Sequence, residues 1–175
     1  MFLVLLGVLG IFLWPFFHFL QRAFATPPPE RVAVAYVTQE DGAFVALDAD
    51  GYVVFTTFFR GMGRPLLVGL TTTDAQTHTP VAVENPTELD IALMYVRAIH
   101  LYGLEQWVSW VDVSDKEGVR LRLFNLEVEL GGGHSPAEMQ EQVRFLAGLT
   151  ADWSEVRVRS GVLDMRVVGG RYVLR

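Results

Sequence analysis

Alternation of hydrophobic and polar residues dominates the chain from residue 30 onwards and predicts a protein built mainly of β-strands. Residues 31–38 alternate, and hydrophobic segments follow at residues 43–47 and 52–59. Turn-forming sequences at residues 39–42 and 48–51 separate the three segments. This first part of the domain is therefore predicted to form a three-stranded meander.

Two later segments carry hydrophobic residues at helical spacing. The first follows Asn85 and Pro86, where Thr87 is expected to cap a helix that Gly103 ends. The second follows Ser135, with Glu138 in position for a capping box. Further strands are predicted at 107–113, 119–124 and 126–130, whereas 61–80 is expected to be a loop around a short extended piece at 65–68. The pattern indicates an α+β fold, an antiparallel-rich β-sheet with two helices packed on it.

The final segment predicts a second meander. If Ser160-Gly161 and Gly169-Gly170 are two-residue hairpin loops, strands at residues 155–159, 163–168 and 171–175 pair in order. This register places Met165 opposite Leu174 and Asp164 opposite Arg175, with hydrophobic residues on one face and charged residues on the other. It leaves residues 171–175 at the edge of the sheet, where unpaired backbone groups could accept a strand from a partner.

An uncharged, strongly hydrophobic run of twenty residues opens the sequence. As a helix it would span roughly 30 Å, the thickness of bilayer hydrocarbon. We therefore predict a transmembrane anchor at residues 1–22, a Pro-rich linker at 23–29 and a folded domain at 30–175. In the alternative interpretation, signal peptidase cuts after Ala23-Phe24-Ala25 and releases a periplasmic ligand-binding or hydrolytic domain.

Composition argues for binding over catalysis. The net charge of −6 and the dispersed arginines argue against a nucleic-acid partner, and the absence of cysteine excludes disulfides and thiolate sites. Ser135 lies in an incomplete G-x-S-x-G motif, and a helix cap explains it better. The histidines lack metal-ligand spacing. We expect no enzyme activity, no cofactor and no metal.

Several motifs resemble the FtsQ/DivIB family of bacterial cell-division proteins. Residues 30–37 are similar to its E-R-x-P-V-A segment, 47–55 to its V-D-x-x-G-x-V-F hairpin, and 65–69 to its L-P-x-L-x-G motif. Residues 111–113 and 119–131 are similar to the paired strands of its second half, and 163–166 to its V-D-L-R strand. Two departures are the spacer of only about ten residues between Leu20 and Glu30, where the family has a POTRA domain, and Ala33 in place of the motif's proline.

The resemblance implies a non-catalytic bitopic scaffold of the divisome. Its amino terminus would be cytoplasmic, and its β domain would lie outside the cell inner membrane, at the division septum. The implied partners are FtsB/DivIC-like and FtsL-like proteins, bound by β-augmentation at the last strands. The predicted partner-binding residues are Asp164, Arg166, Val168, Arg171, Tyr172, Val173, Leu174 and Arg175.

Overall fold

One mixed β-sheet organises the chain in the computed structural model, which describes residues 30–115, 118–132, 135–151, 160–166 and 173–174. All of its elements belong to the compact unit from Arg31 to Arg175. The strands are β1 (Ala35–Gln39), β2 (Phe44–Leu47), β3 (Val53–Thr57), β4 (Leu66–Thr72), β5 (Val108–Asp112), β6 (Val119–Leu123), β7 (Leu126–Gly131), β8 (Gly161–Asp164) and β9 (Val173–Leu174). The helices are α1 (Pro86–Leu101) and α2 (Pro136–Ala151).

The strands lie in the order β3-β2-β1-β4-β5-β6-β7-β8-β9. The predicted meander is present, since β2 pairs antiparallel with both β1 and β3. Parallel pairs join β1 to β4, β4 to β5, and β7 to β8. Each helix connects two parallel neighbours, α1 between β4 and β5 and α2 between β7 and β8, because a parallel pair needs a long crossover.

The predicted fold class is corrected in one respect, the transmembrane helix placed before the domain. Among the residues that the structure describes, no helix has the length and hydrophobicity needed to cross a bilayer. Both α1 and α2 have 16 residues and belong to the α+β domain. The predicted anchor at residues 1–22 lies outside the described residues, so the fold class that the structure supports is α+β alone.

The main core lies between the sheet and the two helices. Buried residues of the helices, such as Val96 and Leu146, contact a continuous hydrophobic face that includes Val111, Leu121 and Val128. A smaller cluster, Ala33, Tyr36 and Ala46, forms a separate group at β1 and β2. The regular alternation of β6 and β7 follows from this arrangement, because one face of these strands is covered by helices and the other is polar.

The strand β4 is longer and more central than the sequence predicted. It has parallel neighbours on both sides, whereas only a short extended piece at 65–68 was expected. Along its pairing with β1, β4 advances from Leu66 to Thr71 while β1 advances only from Tyr36 to Thr38. This irregularity breaks the alternation of hydrophobic residues and hides the strand from a periodicity argument.

Gly69 makes the irregularity in β4 possible. Its φ is +88°, and a Cβ at this position would lie 2.6 Å from the backbone nitrogen of Ser114.

The capping prediction for α1 was wrong: Asn85 is the N-cap residue, and Thr87 lies inside the helix. Pro86 is tolerated at the start of the helix because a backbone N–H there would have no acceptor within the helix.

Gln142 fixes the end of the sheet that carries β8. Its side chain is buried, and its Nε2 donates to the carbonyls of Leu130, at the end of β7, and Met165, just after β8, at 3.0 and 3.2 Å. Its Oε1 accepts a hydrogen bond of 3.1 Å from the Tyr95 hydroxyl of α1. One amide therefore links both helices to the ends of two parallel strands.

The substitution Gly69→Ala tests the close approach of β4 to Ser114. We expect the free energy of unfolding to fall by about 2 kcal/mol or more, because alanine disfavours a left-handed conformation and its Cβ would overlap the Ser114 backbone. Gly148→Ala, at an uncrowded position of α2, is the control and should raise stability by about 0.5–1 kcal/mol. Denaturant unfolding followed by circular dichroism measures both, and equal stability of the two variants would contradict the assignment.

The substitution Gln142→Leu tests the buried amide. We expect a loss of about 2–4 kcal/mol, since two carbonyls lose a donor and the Tyr95 hydroxyl loses its acceptor in a site without water access. Gln140→Leu, an exposed position of the same helix, should change stability by only about 0.5 kcal/mol. A double-mutant cycle with Tyr95→Phe should be non-additive, and simple additivity would show that the hydroxyl and the amide do not interact.

Candidate binding edge of the sheet

The strand β9 lies at one end of the sheet in the described part of the chain. It pairs antiparallel with β8, placing Leu163 opposite Leu174 and Asp164 opposite Val173. The other side of β8 is occupied by β7, so β9 has one neighbouring strand, β8, among the described residues. The sequence prediction that this segment is an edge strand agrees with this order, as far as the described residues extend.

The predicted register of the last strands was wrong. Leu174 lies opposite Leu163 rather than Met165, a shift of two residues along β8. Gly161 begins β8 and pairs with Leu126, so it does not form a hairpin loop with Ser160. In the structure the neighbours of β8 are β7 and β9, and residues 155–159, the predicted hairpin partner, lie outside the described residues.

Four of the eight predicted binding residues can be placed. Asp164 ends β8, Arg166 follows it, and Val173 and Leu174 form β9. The other four, Val168, Arg171, Tyr172 and Arg175, lie outside the described residues. The structure therefore places Asp164 beside the backbone of β9.

Arg166, just after β8, is held by one carboxylate at the end of β8 and another on β7. Its Nε and Nη2 donate to the two carboxylate oxygens of Asp164 at 2.9 and 2.6 Å, and Nη2 lies 3.4 Å from Glu129 Oε2. The hydrogen bonds that Arg166 donates to Asp164 raise the pKa of Arg166 further above its ordinary value. Arg166 reaches Glu129 because β7 is the parallel neighbour of β8, whereas Arg175, the predicted partner of Asp164, lies outside the described residues.

A ladder of charged side chains continues from Arg166 across the polar face of the sheet. Arg120 of β6 donates to Asp112 of β5 at 2.7 Å and lies 3.7 Å from Glu127 of β7. Arg120, Glu129 and Arg166 also line a shallow cavity of about 250 Å³. Sequence reasoning missed this surface, although the alternating Arg and Glu of β6 and β7 were its signal.

The capping interpretation of Ser135 is confirmed. The Glu138 backbone N–H donates to Ser135 Oγ at 3.3 Å, and the Ser135 N–H donates to Glu138 Oε2 at 2.7 Å, which is a reciprocal capping box. A search of the described residues finds no group of three or more His, Asp or Glu side chains arranged to hold a metal ion.

Comparison with known proteins adds no relative. Neither the models of known protein families nor the curated protein sequences match this chain. The resemblance to FtsQ/DivIB is therefore carried by its quoted motifs alone and stays a prediction. Two of those motifs have a structural reason in this fold: the Asp48 hairpin turn, in which Asp48 Oδ1 accepts from the backbone of Asp50 and Tyr52, and Gly69 of β4.

Asp112 gives the charged ladder a pH dependence. Burial alone would raise its pKa, but hydrogen bonds from Ser114 and the charge of Arg120 outweigh burial and hold the pKa below its ordinary value of 3.8. The unfolded chain therefore binds the proton more tightly than the folded domain does. The contribution of ionised Asp112 is complete above the unfolded pKa and is lost as the pH falls through the lower, folded pKa.

We expect the free energy of unfolding to decrease less steeply in Asp112→Asn than in the natural protein as the pH falls from about 5 to about 2. The amide cannot ionise, so its interactions do not change with protonation. Denaturant unfolding at a series of pH values measures the slope. Asp90→Asn, on the exposed side of α1, is the control, and parallel slopes for the natural protein and Asp112→Asn would rule out this role for Asp112.

Proposed function

We propose that this domain is a non-catalytic scaffold that binds an extended segment of a partner protein along the outer edge of β9. The partner segment would add a strand to the sheet by β-augmentation, so that main-chain hydrogen bonds supply affinity and side-chain contacts supply selectivity. The observation that carries the proposal is the strand order, which ends at β9 in the described part of the chain.

Backbone geometry supports strand addition at this edge. Successive residues of a strand direct their N–H and C=O groups to opposite sides, so one of Val173 and Leu174 faces β8 and the other faces outward. An outward residue offers its donor and its acceptor to an arriving strand. Soluble proteins usually protect such an edge by charge, proline or a bulge, because it otherwise pairs with other chains.

The supporting structure holds the edge in place. β8 is anchored on one side by its parallel pairing with β7 and at its end by the hydrogen bond from Gln142 to the Met165 carbonyl. Arg166 and Asp164 are held in a bidentate ion pair beside the edge. A rigid template of this kind reduces the entropy that a partner strand loses on binding.

The resemblance to FtsQ/DivIB supplies the class of partner. On that basis we propose that the bound segments belong to FtsB/DivIC-like and FtsL-like proteins, and that the scaffold acts in the divisome at the inner membrane of the division septum. The proposal concerns the extracytoplasmic binding role of residues 30–175 and does not depend on how residues 1–29 are arranged.

Proline substitution in β9 tests the proposal, because proline removes a backbone donor and its ring obstructs a neighbouring strand. Val173→Pro and Leu174→Pro are made separately in the full chain. We expect one variant to keep its stability but bind the partners roughly tenfold or more weakly, since lost ladder bonds are each worth about 0.5–1.5 kcal/mol. The other variant should lose stability through its contact with β8.

Co-purification with FtsB/DivIC-like and FtsL-like proteins measures binding, and circular dichroism verifies folding. Val173→Thr is the control, because it retains the backbone donor and a β-branched side chain and should bind normally. If both proline variants are folded and still co-purify with the partners at the natural level, docking on β9 is wrong.

A further inference from the structure

The loop between β3 and β4 presents hydrophobic side chains to solvent. In this loop, which we name the aromatic loop (residues 58–63), Phe58 and Phe59 are 72% and 86% exposed and Met62 is fully exposed. Phe55, in the middle of β3, and Val32, before β1, are further exposed hydrophobic residues. Large hydrophobic side chains grouped in this way mark an interaction surface, whereas single exposed ones are ordinary.

The arginines in and beside the aromatic loop point back to the domain. Arg60 Nη2 donates to the Ser109 carbonyl of β5 at 2.6 Å. Arg64, which follows the loop, donates from Nε to the Ala33 carbonyl at 2.7 Å and from Nη1 to the Tyr36 hydroxyl at 3.3 Å. Thr57 Oγ1 accepts from the Phe59 N–H at 3.1 Å. The loop is thus held by its polar groups while its hydrophobic groups face outward, the reverse of the usual arrangement.

The aromatic loop lies beside the first residues of the domain. Gly63 and Arg64 line the same cleft as Val32, Ala33 and Val34, the first residues of the fold. Only the short stretch with Pro27-Pro28-Pro29 separates these residues from the uncharged run of residues 1–20. Eleven residues, 21–31, lie between this run and Val32 in the sequence. The aromatic loop and the start of the fold therefore line one cleft, and the uncharged run shortly precedes that start in the sequence.

We propose that the aromatic loop inserts Phe58, Phe59 and Met62 into a lipid surface. The occupant is lipid rather than protein because the hydrophobic side chains project from the domain instead of lining a groove, and because the adjoining run of twenty uncharged residues favours a hydrocarbon environment. The proposal requires that this run associates with lipid, not that it crosses the bilayer. It is independent of partner binding at β9.

The charge of the protein predicts how insertion should depend on lipid charge and salt. The protein carries a net charge of −6, and Arg60 and Arg64 are engaged by protein groups. Attraction to anionic headgroups therefore contributes little, and burial of hydrophobic side chains must supply the affinity. We expect insertion of the loop into neutral phosphatidylcholine vesicles, with little change on addition of phosphatidylglycerol or on raising the salt concentration.

A label placed in the aromatic loop tests the proposal. The chain contains no cysteine, so Met62→Cys provides one attachment site for the fluorophore NBD in the full protein. In phosphatidylcholine vesicles we expect its emission to shift to shorter wavelength, aqueous iodide to lose its quenching effect, and doxyl-labelled lipid chains to quench it. Gln140→Cys, at an exposed position of α2, is the matched control and should stay accessible to iodide.

A second variant separates insertion from folding. Phe58→Ser combined with Phe59→Ser removes only exposed side chains, so thermal unfolding should be unchanged while the blue shift of the label at position 62 is lost. Iodide quenching at position 62 equal to that at position 140 in vesicles would overturn the proposal. Protection of position 62 only after FtsB/DivIC-like or FtsL-like protein is added would also overturn it, in favour of a protein occupant.

Discussion

The hydrogen bonds of Gln142 are the interaction on which the β8 end of the sheet depends. A parallel pair such as β7 and β8 is joined by a helix, and the helix must be held against the strand ends for the crossover to have one geometry. The buried amide does this by donating to the Leu130 and Met165 carbonyls and accepting from the Tyr95 hydroxyl. Burial raises the pKa of Tyr95 above its ordinary value, which widens the pH range in which the hydroxyl stays protonated and can donate.

The consequences of this arrangement extend to the edge of the sheet. With β7 on one side of β8, the remaining side is left for β9, and the order of strands ends there in the described residues. The same pairing brings Glu129 beside Arg166, so the charged ladder that starts on the antiparallel strands β5–β7 continues to the end of β8. A hairpin arrangement of the last strands would have produced different ion pairs and a different neighbour for β8.

The two faces of the sheet explain why two separate surfaces are proposed. The helices cover the hydrophobic face of β5–β7, and the other face of those strands carries the charged ladder. Around β1 and β2 the small cluster of Ala33, Tyr36 and Ala46 is flanked by the aromatic loop, whose Arg60 reaches across to β5. The loop is therefore tied to the strands while its hydrophobic side chains remain outside.

Local patterns in the sequence determined the elements with simple periodicity and chemistry. The first meander, both helices, the alternating strands β6 and β7 and the Ser135 capping box could be predicted, because each depends on residues close together in the chain. Tertiary structure alone decided which strands became neighbours. The central position of β4 involves the close approach of Gly69 to Ser114, and the pairing of β8 with β7 depends on the crossover through α2. A period of two specifies which face of a strand is buried, but it leaves the neighbour and a shift of two residues undetermined.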